Sequence, residues 1–185
     1  MRRTGRRRAA RGGRPGAARP VPGGDHLVTS WGPDGGGHLL FVGHYDTVWP
    51  VGRLAEMPYT DDGTTITGPG VLDMKGGLVV LETALRALDA AGVAVRVPVR
   101  AVVVADEEVG SPTGRAVAAL GQDVRGRPAA GSGDANLPGS RGLPTLDGLG
   151  PRGRGAQAPD EHVLVASLTE RAALLAALIA SSGQE

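Results

Sequence analysis

From residue 38 onward the chain alternates apolar runs with glycine-rich polar turns. Residues 38–43, His-Leu-Leu-Phe-Val-Gly, read as a buried strand that Trp49 and Pro50 break off afterwards. Over 77–91, Leu78, Leu81, Leu85 and Leu88 recur at helical spacing, and Gly92 stands where a helix would stop. Residues 97–105 are again nearly all apolar, with Val99 and Val102 to Val104 among them, and predict a second buried strand. A strand, a helical crossover and a strand make a right-handed parallel unit, so the pattern predicts an α/β fold with a mostly parallel central sheet. Near the end, Ser167 followed three residues later by Glu170 forms a capping-box signature for a last helix carrying Leu174, Leu175, Leu178 and Ile179.

The polar clusters lie where these apolar runs end, which is where an α/β protein places its chemistry. They are G-H-Y-D-T-V at 43–48, G-P-G-V-L-D-M-K-G-G at 68–77 and A-D-E-E-V-G-S at 105–111. His44 and Asp46 are two apart, so on an extended backbone both side chains leave on the same side. Asp73 follows Gly68 and Gly70, which permit a tight turn, and precedes Gly76 and Gly77. Glu107 and Glu108 are adjacent and are expected to point apart, one toward a metal and the other toward a substrate as proton carrier. Singly, each of these residues has an ordinary structural explanation, a turn-forming Asp or a solvated Glu pair. Together, at successive strand ends, they point to a site of one imidazole and several carboxylates, suited to zinc, manganese or cobalt more than copper. His26, His38 and His162 are read as ordinary polar groups.

Composition narrows the class. The 185 residues hold no cysteine, which excludes disulfides and thiolate metal sites. Thirty-one glycines, 14 prolines and five aromatics imply a loop-rich protein with a thin core. Residues 1–24 carry eight arginines and no acid, so residues 25–185 hold 12 basic against 19 acidic side chains, a formal net charge of −7. The leader is expected to be disordered, because it has too little apolar surface to order itself. No aromatic residue interleaves its arginines, so it is read as a solvated leader and not as a nucleic-acid-binding arm. No apolar stretch fits a secretory signal or a membrane span, and the expectation is a cytoplasmic protein.

The ordered combination of H-Y-D-T-V-W-P from His44, the glycine-flanked D-M-K-G-G at Asp73 and D-E-E-V-G-S from Asp106 resembles the metallopeptidase and deacylase family of glutamate carboxypeptidase, acetylornithine deacetylase and succinyl-diaminopimelate desuccinylase. The resemblance spans 38–115 and 131–180. It implies a three-layer zinc-peptidase-like catalytic domain over 25–185, with 25–115 and 131–185 as its two parts. The junction 116–130 stands where the family inserts its lid and dimerisation domain. It also implies roles. His44 resembles a ligand of a first zinc ion, Asp73 a carboxylate bridging two ions and Glu108 a ligand of the second. Glu107 resembles the general base, and Asp46 the carboxylate that orients His44. Gln157 stands where the family has its last histidine ligand, and the segment bearing another carboxylate ligand is missing. The expectation is therefore an amide-bond hydrolase acting on a small peptide or N-acyl amino acid, impaired by lost ligands and monomeric. The alternative is a non-catalytic homologue with residual metal binding.

Overall fold

The computed structural model describes residues 14–15, 19–21, 24–34, 39–111 and 144–183, with side chains from residue 25 onward. The expected junction over 116–130, the segment 131–143, His38 and most of the leader lie outside the described residues. Along the chain the strands are β1 (Arg14–Pro15), β2 (Arg19–Val21), β3 (Gly24–Trp31), β4 (Leu39–His44), β5 (Thr60–Asp61), β6 (Thr65–Thr67), β7 (Val99–Val104), β8 (Gly153–Arg154) and β9 (His162–Leu164). The described helices are α1 (Gly76–Ala90) and α2 (Val165–Ser181).

The expected strand–helix–strand unit is present. β4 and β7 pair in parallel from Leu39 opposite Val99 to His44 opposite Val104, with α1 in the crossover. The rest of the sheet corrects the expectation of mostly parallel pairing. β3 lies antiparallel on the other side of β7, and β1 and β2 each pair antiparallel with β3. Within the leader, then, two short stretches are strands; backbone pairing needs no apolar side chain, and the prolines of β1 and β2 belong to edge positions. A second antiparallel sheet runs in the order β5, β6, β9, β8. Strands of two or three residues leave no periodic signal to read.

α1 starts at the glycine pair and ends as its sequence suggests. Gly92 takes φ +67°, its N–H bonds the Asp89 carbonyl at 3.1 Å, and the Val93 N–H bonds the Leu88 carbonyl at 2.9 Å. These two bonds close the helix on a left-handed residue that glycine adopts without strain. α2 departs from expectation. It begins at Val165, straight out of β9, so Ser167 sits inside the first turn and its Oγ donates to the Leu164 carbonyl at 2.6 Å. The capping box does not form, because the strand already delivers the chain into the helix.

Both helices pack on one face of the first sheet. Val80, Ala84, Leu85 and Leu88 of α1 meet Ala172, Leu175 and Ile179 of α2 over Val99, with Trp31, Leu39 and Phe41 at the margin. Val102 and Val104 turn to the opposite face with Val28. In the second sheet, a Cβ on Gly153 would lie 2.0 Å from the His162 carbonyl oxygen. Gly153→Ala is therefore expected to destabilise the chain by about 1–3 kcal/mol, read as a lower urea midpoint, since backbone and not a flexible side chain must give way.

Candidate metal centre

β4 delivers His44 at its last position, 4% exposed. Its backbone N–H donates to the Met74 Sδ at 3.1 Å, and a Cβ on Gly43 would lie 2.7 Å from the Met74 Cε, so the Asp73 loop rests directly on the strand end. The loop can do this because Gly70 takes φ +75°, and a side chain there would meet Thr47 Cγ2 at 2.4 Å. In the turn Val71–Lys75 that follows, Asp73 and Met74 leave helical backbone angles, which aims the Asp73 carboxylate at the strand end.

There the His44 Nε2 and an Asp73 oxygen lie 3.0 Å apart. The other ring nitrogen, Nδ1, is 3.2 Å from the Asp46 carbonyl and 3.3 Å from its Oδ1. The second carboxylate oxygen of Asp46 accepts the Glu108 N–H at 3.0 Å. Asp46 thus holds the ring through its backbone carbonyl and ties down the turn after β7 through its carboxylate. That turn, Glu107–Val109, is a 3-10 helix, and here the expectation that the two glutamates point apart is corrected. Successive residues of a 3-10 turn differ by about 120°, not 180°. Ligand atoms of His44, Glu107 and Glu108 accordingly lie within 4.8 Å of one another.

Gln157, at φ +62°, reaches the same place. Its Nε2 donates to Asp73 at 3.0 Å and to Glu108 at 3.2 Å. The five residues singled out in the sequence are therefore brought together, with Gln157 as a sixth member. Among the other histidines, His26 is fully buried and its Nδ1 accepts the Ala105 N–H at 3.1 Å, while His162 Nδ1 lies 2.8 Å from the Asp160 carbonyl. Both are satisfied polar groups. The residue that sequence reasoning passed over is Glu161, fully buried beneath the Asp73 loop. An acid ahead of a three-residue strand carries no local signal of burial.

Electrostatics reflect the crowding. Burial alone would lower the His44 pKa, but the hydrogen bond and charge of Asp73, with Glu107 and Asp46 adding to them, carry it up to about 9. The same hydrogen bond from His44, aided by Gln157, holds Asp73 below the usual carboxylate range. Burial, then the neighbouring Asp73 charge, pushes Glu108 up. Beside the site a cavity of about 620 Å³ is walled by Thr47, Trp49, Tyr59, Val71, Lys75 and Leu168 among others, but by none of the five site residues. Burial lowers the Lys75 pKa there.

Fold and site define a class: an α/β protein whose imidazole and carboxylates, drawn from three loops, meet at the carboxyl end of a parallel strand pair. Residues 40–130 match the sequence model of peptidase family M20/M25/M40. Carboxypeptidase G2 of Pseudomonas sp. (strain RS-16) is 38% identical over 88 residues, covering 48% of this chain and 21% of that protein. Solved structures that resemble the chain include human carnosine dipeptidase 1, 24% identical with a TM-score of 0.42 over 50% of this chain and 21% of that one. The M20 family metallo-carboxypeptidase Sso-CP2 from Sulfolobus solfataricus is also 24% identical, with a TM-score of 0.43 over 51% and 22%. Over residues 40–130 the chain is thus similar to peptidase family M20/M25/M40, the resemblance its motifs suggest. It spans about a fifth of the length of the relatives it matches. No described helix is long and apolar enough to cross a membrane.

Proposed function

We propose that this chain carries the cation-holding part of a metal-dependent hydrolase of amide bonds, of the carboxypeptidase or N-acyl-amino-acid deacylase kind. The observation that carries the reading is convergence: His44, Glu107 and Glu108 each offer a ligand atom within 4.8 Å of the others. The residues present also fit a cation, since Glu108 Oε1 is buried without a hydrogen-bond partner. Leaving a buried carboxylate oxygen unpartnered is costly, and a divalent ion would satisfy it. The donor set of imidazole and carboxylates suits zinc, cobalt or manganese. The architecture proposed around it is the three-layer catalytic domain of that family.

His44 and Glu108, from that group, and Asp73, which stands outside it with one oxygen 3.0 Å from the His44 Nε2, are the proposed ligands. The ion would polarise a substrate carbonyl and acidify a water molecule. Glu107 takes the proton that water loses as it attacks the carbonyl carbon, then returns it to the departing amine nitrogen as the C–N bond breaks. Asp46 holds the His44 ring so that Nε2 faces the site and keeps the glutamate turn in register through the Glu108 N–H.

A second reading is a non-catalytic homologue with residual cation binding. The Gln157 amide favours it, because its N–H groups span the Asp73 and Glu108 carboxylates where a cation would otherwise lie. Calorimetric zinc titration followed by hydrolysis of N-acyl-glutamate compounds separates the two. Submicromolar binding with turnover supports the hydrolase, and weaker binding without turnover supports the second reading. Gln157→His is expected to tighten zinc binding by roughly 10-fold or more, the scale on which single partners of a metal site act. Absence of zinc binding in both proteins would contradict both readings.

A further inference from the structure

Glu161 precedes β9, far along the chain from the ligand loops, and it is fully buried. Burying a carboxylate is expensive unless it is hydrogen-bonded throughout. Here the bonding is complete: Oε1 accepts the N–H groups of Leu72 and Asp73, both at 2.9 Å. Oε2 accepts the Gly70 N–H at 2.9 Å and the Trp49 indole Nε1–H at 3.3 Å. Its own carbonyl receives the Gly68 N–H at 3.5 Å. The three loop amides belong to backbone that lies in neither a strand ladder nor a regular helix, so the carboxylate takes the place of a ladder partner.

The connectivity gives this clamp its consequence. Gly70, Leu72 and Asp73 form the loop that aims the Asp73 carboxylate at His44, and Trp49 lies three residues past Asp46 on the loop leaving β4. One buried acid from the second sheet therefore fixes two loops of the cation site relative to each other. We propose that Glu161 is a positioning residue: its carboxylate sets the geometry of the Asp73 loop and the 44–49 loop for cation binding without itself touching the ion. Its bearing on a cation rests on the function proposed above, while the clamp itself does not.

Glu161→Gln tests it with little change of shape. An amide offers one acceptor oxygen and turns two N–H donors toward N–H groups that have nothing to accept them, whichever way it is oriented. Amide hydrogen exchange on the full-length, metal-free chain is the first readout. In the parent protein the Leu72 and Asp73 amides are expected to exchange slowly. In Glu161→Gln they are expected to exchange about 10- to 100-fold faster, the scale of a lost hydrogen bond to a charged group, while amides in the middle of α2 keep their protection. Cobalt(II) titration is the second, with affinity expected to fall about 10- to 100-fold. Ile179→Ala serves as the control, since it weakens a core remote from the loops and is expected to lower thermal stability without weakening cobalt binding.

Unprotected Leu72 and Asp73 amides in the parent chain, or a Glu161→Gln variant that exchanges and binds cobalt like the parent, would overturn the proposal. Should Glu161→Gln fail to fold, Glu161→Asp, which withdraws the carboxylate by one methylene, is read by the same criteria. If the amides are protected as expected and the parent chain binds no cobalt, the cation reading has failed and the loop clamp stands.

Discussion

A His44→Ala variant is expected to bind divalent cations at least roughly 100-fold more weakly than the parent chain, with its secondary structure kept. Losing a mere partner of a metal ligand already costs about 10–100-fold, and His44 is the site's proposed nitrogen ligand. The imidazole is also the hub of the cluster, with Asp73 3.0 Å from Nε2 and Asp46 3.3 Å from Nδ1. Without it, the group of His44, Glu107 and Glu108 ligand atoms loses its nitrogen donor, and Asp73 loses its hydrogen-bond partner. The fold is expected to survive because the carboxylates released are partly open to water, Asp46 at 19% and Asp73 at 30% side-chain exposure. Zinc calorimetry paired with far-ultraviolet circular dichroism checks both halves. Unchanged affinity in the variant would remove His44 from the site.

The largest loss of stability is expected from Ile179→Ala, at about 2–5 kcal/mol. Ile179 is fully buried near the end of α2, in the cluster that α1 and α2 share over Val99. The two aromatic neighbours of this small aliphatic cluster, Trp31 and Phe41, lie at its margin, so the space left is expected to be refilled only in part. Urea unfolding should show a lower midpoint at unchanged slope. A loss below about 1 kcal/mol would mean that the α1–α2 contact is not what closes the sheet face.

The elements legible in the sequence are those whose signal is both local and long enough. β4, α1 and β7 each show an apolar run or a helical repeat, and Gly92 marks the end of α1 through a bond pattern that only its own backbone angle requires. β3 hides because its burial inverts the usual alternation: His26 is fully buried and Leu27 is 50% exposed. The inward position is polar because it answers the Ala105 N–H across the sheet, a partner 79 residues away. The start of α2 misleads for a related reason. The sequence around Ser167 carries a valid cap signature, but β9 enters the helix directly and leaves Ser167 to bond the Leu164 carbonyl.

At the site, residue identities were legible and their mutual geometry less so. His44, Asp73 and the glutamate pair announce themselves by type and by following apolar runs. That Glu107 and Glu108 both turn toward the imidazole depends on the 3-10 turn, which nothing in D-E-E-V-G-S specifies. Gln157 was visible as a departure from the family's motif, but its bridge between Asp73 and Glu108 depends on a left-handed backbone angle that a glutamine does not advertise. Glu161 was illegible altogether, since its four donors come from segments about 90 to 110 residues earlier in the chain.

The measurement that bears most directly on the central claim is anomalous diffraction at the zinc edge from crystals of the full chain grown with zinc. The account predicts a peak about 2.0–2.2 Å from the His44 Nε2 and from carboxylate oxygens of the Asp73 and Glu108 group, within the turn-and-strand-end cluster. A zinc-saturated crystal with no peak there, or with its zinc held only by surface acids such as Asp61 and Asp62, would contradict it.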